Sequence, residues 1–118
     1  MSPSSDLSFA EQRACALLAA VPGRSLSELA EAARIGLPAV SRMVERLAAA
    51  GLVRRDRSRA DRRVICLNLA GRGAEVAHQF EAAVAEFEAK AFAGFSVAEA
   101  SLLRTMLLRI EANASTPP

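Results

Sequence analysis

Six arginines fall among the ten residues 54–63: Arg54, Arg55, Arg57, Arg59, Arg62 and Arg63. Two more, Arg42 and Arg46, stand beside Ser41 a short way upstream. A guanidinium is always charged and donates in a planar fork, which suits phosphate oxygens and the O6/N7 edge of guanine. The clustering is informative because the formal net charge is only +2. From Arg24 to Arg63 there are ten arginines against five acids, whereas the rest of the chain carries five basic and eight acidic residues. A basic middle between acidic ends marks a localised surface for a polyanion rather than general stickiness.

Other chemistry is sparse. Cys15, Cys66 and His78 are the only soft ligands and have no metal-ligand spacing, so no metal or other cofactor is expected. No nucleophile and base are paired and no phosphate loop is present, so the chain does not read as an enzyme and no catalytic residue is assigned. Cys15 falls among inward positions of a helix and reads as a small hydrophobe. Cys66 falls on the outward face of a strand, which leaves open a redox-switched regulator as one alternative. His78 reads as a surface histidine.

The basic residues need a scaffold, and the pattern supplies one. Ser8-Phe-Ala-Glu11, Ser25-Leu-Ser-Glu28 and Ser96-Val-Ala-Glu99 are three capping boxes, each able to start a helix. The first helix runs from Ser8 to Pro22-Gly23 with Ala14, Leu17, Leu18 and Val21 inward. The second reaches about Arg34, with Leu26, Leu29, Ala30 and Ala33 inward, and Ile35-Gly36-Leu37 is a tight turn. A third helix is expected from Pro38, at its first position, to Ala50, with Gly51 as its left-handed cap. Within it Val40, Val44 and Leu47 recur at helical spacing, flanked by Met43. That spacing turns Ala39, Ser41, Arg42, Glu45 and Arg46 toward solvent or a groove.

Leu52 to Arg55 and Arg63 to Leu69 read as two strands joined by an arginine-loaded turn, with Ile65, Leu67 and Leu69 on the better core face. A long helical pattern from about Gly71 carries the stripe Val76, Phe80, Val84, Phe87 and Ala91, and a last helix runs through Ile110. Together these predict a mainly α protein: a winged helix-turn-helix with a two-stranded β wing and two C-terminal dimerisation helices. Helix-turn-helix plus basic hairpin is an arrangement that holds double-stranded DNA, one helix in the major groove and the loop at the backbone or minor groove. The apolar faces at Phe80, Val84, Phe87, Leu103, Met106, Leu107 and Ile110 exceed what one small monomer needs, and point to a homodimer.

The same residues carry a family likeness. Val40-Ser-Arg-Met-Val-Glu-Arg-Leu47, Ala50-Gly-Leu-Val53 and Asp61-Arg62-Arg63, followed by two long helices, resemble the MarR family of bacterial winged-helix transcription regulators over about Leu7 to Ile110. The resemblance implies a recognition helix from Pro38 to Leu47 and a wing from Arg57 to Arg63, so Pro38, Arg57, Arg59, Asp61, Arg62 and Arg63 join Ala39, Ser41, Arg42 and Arg46 as DNA-binding candidates. It also implies that Arg62 enters the minor groove while Asp61 fixes the wing by ion pairing, with Arg63 shared between those roles. Relatives carry a further helix before the one that starts at Ser8, so this sequence reads as having a shortened N-terminus that lacks the usual first helix. A Thr that caps the long helix in relatives is Ala70 here, leaving Asn68 or solvent to serve that amide.

The expected organisation is one domain in all: residues 1–7 a disordered N-terminus, 8–70 the DNA-binding region, 71–113 the dimerisation helices and 114–118 a disordered tail. No apolar run approaches the roughly 20 residues that cross a bilayer and no export signal is evident, so a cytoplasmic protein without a membrane partner is expected. The function expected is sequence-selective binding to pseudo-palindromic promoter DNA by a homodimeric repressor, with a small amphipathic ligand as the releasing partner that the resemblance implies. A winged-helix protein-interaction module is the alternative from another class.

Overall fold

The computed structural model describes residues 6–115. Its elements are α1 (Phe9–Ala20), β1 (Arg24–Ser25), α2 (Leu26–Ala33), α3 (Leu37–Ala49), β2 (Val53–Arg57), β3 (Ile65–Leu69), α4 (Gly73–Ala91) and α5 (Val97–Ser115). The chain divides into two compact units, Met1–Ala83 and Val84–Pro118. Among the described residues no helix is long and apolar enough to cross a membrane.

In the first unit, helix starts follow the capping chemistry. Ser8 Oγ accepts from the Glu11 amide at 3.1 Å while Glu11 accepts from the Ser8 amide at 3.0 Å, and Ser25 with Glu28 repeats the arrangement. Apolar faces of α1, α2 and α3 then meet around Cys15, Leu18, Leu29, Val40, Val44 and Leu47, which are sealed from solvent together with Leu67 and Val76. Val21, expected inward, is exposed because it caps α1 from an extended conformation. Two arginines close helix ends: Arg13 donates to the Ala33 carbonyl at 2.9 Å and Arg24 to the Leu17 carbonyl at 3.3 Å.

The turn between α2 and α3 differs from expectation. The left-handed residue is Arg34, at φ 57°, with Ile35 donating back to Ala30, whereas Gly36 is extended and caps α3. Helix α3 therefore begins at Leu37, and Pro38 is its second residue rather than its first. The change of position is harmless, since the first four amides of a helix lack internal partners. At the other end Gly51, at φ 77°, and Leu52 donate to Ala48 and Leu47, which satisfies the last carbonyls and turns the chain into β2.

The sheet holds a third strand that periodicity does not predict. Its order is β1-β3-β2, all antiparallel, with Arg24 opposite Leu67 and Ser25 opposite Cys66. A two-residue strand has no period to detect. The wing strands are also shifted from expectation: β2 extends through Arg57, and Arg63 and Val64 belong to the turn. Asp61 causes the shift, because it accepts from the Arg63 amide through its side chain and from the Val64 amide through its carbonyl. Leu67 is buried and Leu69 half-buried, as the alternation predicts, but Ile65 is exposed near the wing turn.

At the ends, Leu7, expected in a disordered lead, is half-buried against the core. Helix α5 continues to Ser115, so Ala114 and Ser115 are helical rather than tail. Of the other residues expected to be disordered, Asp6 is exposed at a turn, and 1–5 and 116–118 lie outside the described ones. Asn68 does not cap α4; its amide donates to Asp56 at 3.1 Å, and the Gly73 amide reaches the Ala70 carbonyl instead.

Candidate nucleic-acid interface

Helix α3 buries Val40, Met43, Val44 and Leu47, so the opposite face must be presented outward. On it Pro38, Arg42 and Glu45 are exposed, with Ser41 and Ala39 half-buried at its margins. Arg42 and Glu45 have no side-chain partner among the described residues. Arg46 does: its Nε lies 3.5 Å from Glu11 Oε2 on α1. Burial of the Glu11 carboxyl opposes ionisation, but hydrogen bonds from Ser8 and the charge of Arg46 outweigh it and hold the group below its ordinary value. Arg46 is thus paired across two helices, with α1, rather than with Glu45 on its own helix.

The wing is held by part of its own charge. Asp61 Oδ1 accepts from the Arg63 amide and Nε, each at 3.0 Å, and its Oδ2 accepts from an Arg63 terminal nitrogen at 3.0 Å. Those bonds, the Arg63 side chain first, keep the Asp61 carboxyl below its usual range. Ser58 Oγ accepts from the Ala60 and Asp61 amides, and Arg57 donates to the Arg62 carbonyl at 2.8 Å. Arg54 pairs with Asp56 at 2.8 Å, next to Asn68. Three of the six arginines thus organise the wing, while Arg55, Arg59 and Arg62 are exposed without side-chain partners among the described residues. Asp61 takes Arg63 rather than Arg62, which leaves Arg62 unengaged.

Arg55 is not among the candidates that the sequence singles out. It shares a face of β2 with buried Val53 and lines a cavity of about 180 Å³ with Leu26, Ser41, Val44, Ile65 and Leu67. Strand alternation starting from Val53 is the signal that places it beside α3.

A family model matches residues 5–64, just over half of the chain, and its description is the MarR family. The chain belongs to the MarR family. Membership makes it a DNA-binding transcription regulator rather than an enzyme. No curated protein matches it in sequence. Among solved structures it is similar to the transcriptional regulator SlyA, at 20% identity and a TM-score of 0.83, over 93% of this chain and 78% of that one. FabT from Streptococcus pneumoniae, solved in complex with DNA, is 22% identical with a TM-score of 0.79, over 96% and 79% of the two chains. PcaV from Streptomyces coelicolor, solved with its natural ligand, is 20% identical with a TM-score of 0.81, over 94% and 79%. These likenesses establish the winged-helix fold.

In this MarR-family chain the expected dimer residues fall in different places. Phe80 belongs to the first unit, where it packs on the core and meets Phe9 edge to face at 5.1 Å. In the second unit Val84 and Leu103 are half-buried, whereas Phe87 (70% exposed), Met106, Leu107 and Ile110 are exposed. Val97, Leu102 and Leu108 are exposed as well. Arg104 lies 4.8 Å over the Phe92 ring and 3.7 Å from Glu88, joining α5 to the end of α4. No residue of α5 is buried.

Both thiols are free. Cys15 is sealed in the core, where burial first and the Glu11 charge second push it up to about 11. Cys66 is half-buried, opposite Asp56 and Ser25 in the sheet. Among the described residues no group of His, Cys, Asp and Glu could hold a metal ion.

Proposed function

We propose that this MarR-family chain is a homodimeric repressor of pseudo-palindromic promoter DNA, acting in the cytoplasm and released by a small amphipathic ligand. Each α3 enters a major groove and each wing a minor groove. The observation that carries the reading is the division of arginines: Arg54, Arg57 and Arg63 hold the wing, while Arg42, Arg55, Arg59 and Arg62 are left for an external anion. Positioned charges without internal partners are what phosphate and groove contact require. Pro38, Ala39, Ser41 and Arg42 face the major groove, and Arg46 reaches the flanking backbone once it leaves Glu11.

The structure of FabT with DNA supports the DNA partner, and that of PcaV with its ligand supports release by a small molecule. Dimerisation rests on the apolar residues Phe87, Leu102, Met106, Leu107 and Ile110, which the second unit leaves uncovered.

The test is a salt titration on promoter fragments selected from genomic DNA by the purified protein. Arg62→Ala is expected to weaken selected and unrelated DNA in similar proportion, with the salt slope reduced by about one per subunit. Arg42→Ala is expected to cost about 1–3 kcal/mol per half-site and to relax selectivity at one symmetric pair of positions. Unchanged binding by Arg62→Ala across the titration overturns the wing assignment. A wild-type protein that captures no DNA in a salt-sensitive way points instead to a protein-interaction module.

A further inference from the structure

Glu45 is the anomaly of the surface offered to DNA, and its role rests on the chain being the DNA-binding regulator proposed above. It sits on the outward face of α3, exposed, one turn from Arg42, and has no partner among the described residues. Arg42 at i−3 leaves it unpaired, and Arg46 is drawn 3.5 Å from Glu11 on α1. A free carboxylate on a face that meets phosphates repels them, so Glu45 lowers affinity for DNA in general. Only a hydrogen-bond donor in the groove compensates. Cytosine presents such a donor, its N4 amino group, in the major groove, whereas guanine presents acceptors and thymine an acceptor beside a methyl group. Adenine offers an amino group beside N7, an acceptor that a carboxylate opposes.

We propose that Glu45 reads cytosine by accepting from its N4 amino group, and that it acts with Arg42 as an acceptor and donor couple selecting C·G base pairs. Side chains at i and i+3 stand about 5–6 Å apart at Cβ, and base steps rise about 3.4 Å, so the couple spans one pair or two neighbours. Glu45 thereby trades general affinity for discrimination, and Arg46, drawn to Glu11 in the free protein and to the flanking backbone on DNA, does not cancel the carboxylate.

The test compares wild type, Glu45→Ala and Glu45→Gln on a random-sequence duplex library, sequencing the bound fraction and measuring affinity for one unrelated duplex. The wild type is expected to enrich cytosine at a symmetric pair of positions. In Glu45→Ala that preference falls by about tenfold while the unrelated duplex binds more tightly. Glu45→Gln moves the same position from cytosine toward adenine, because an amide matches the adenine N6/N7 edge. Thermal midpoints close to that of wild type establish that both variants fold. Identical enriched sequences for all three proteins overturn the proposal, whether affinity rises uniformly (simple repulsion) or falls uniformly (a contact elsewhere). A wild type that enriches no sequence refutes the DNA-reading function itself, and the cytosine assignment falls with it.

Discussion

Asp61 decides how the wing's charge is used. Its two oxygens occupy the Arg63 amide and guanidinium, which shapes the turn and leaves the neighbouring Arg62 unengaged. Asp61→Asn removes a negative charge from the arginine-rich wing proposed to meet phosphates, which by Coulomb attraction alone strengthens DNA binding. The opposite is expected: affinity falls because the turn loosens, and amide exchange over 58–64 quickens. Tighter binding with unchanged exchange rules this out. The same carboxyl fixes a pH dependence. Its pKa is depressed in the folded protein, so the order it lends the wing is complete above the ordinary aspartate value of about 3.9 and is lost as pH falls through the lower folded value. Wing amide shifts in an acid titration are therefore expected to hold steady down to about pH 4. At Cys66 the expectation is negative: Cys66→Ser leaves DNA affinity and its response to peroxide unchanged, since the other thiol, Cys15, is buried and protonated. A serine variant that stays on DNA under an oxidant that releases the parent shows a redox switch instead.

At the scale of elements, the join between α3 and the long helix α4 is a place of close backbone approach. The chain leaves α3 through Gly51 and Leu52, and the Leu52 carbonyl then accepts from the Ala70 amide. Gly73, the buried first residue of α4, lies so close that a Cβ there would run into the same carbonyl oxygen and press on Leu69. Gly73→Ala is therefore expected to destabilise the protein by about 1–3 kcal/mol, although alanine is the better helix former. Thermal unfolding measures it, and a raised Tm contradicts the close approach. The shift should also disturb α3, because α4 is seated on the residues that end it.

For the whole molecule, the long helix changes role along its length. Val76 and Ala77 are buried and Phe80 is half-buried in the first unit, while Phe87 and Ala91, at the far end of the same stripe, are exposed. With α5 also unburied, the second unit, considered alone, leaves apolar surface that water disfavours. Leu107→Asp is expected to leave a monomer at micromolar concentration by light scattering, because a carboxylate trapped in an apolar interface is costly. It should also weaken operator binding, since two half-sites no longer act together. A wild type that is monomeric under those conditions removes the dimer from the reading.

Local rules were enough for much of this. The three capping boxes, the apolar stripe of α3, the left-handed Gly51 and the inward Leu67 of β3 are all fixed by neighbours within a few residues, so they were legible in the sequence. Helix-turn-helix, wing and arginine clustering followed from them. Long-range choices were not legible. Sequence places six arginines in a row of ten but does not say that Asp61 takes Arg63, that Arg57 holds the Arg62 carbonyl, or that Glu11 draws Arg46 across from another helix. Phe80 and Phe87 share one helical stripe, yet only the packing of α1 against α4 separates a core side chain from an exposed one. Residue type sets which bonds a side chain can make, but which of several competing partners it meets depends on distances set by segments far away in the chain, and the tertiary structure decides those.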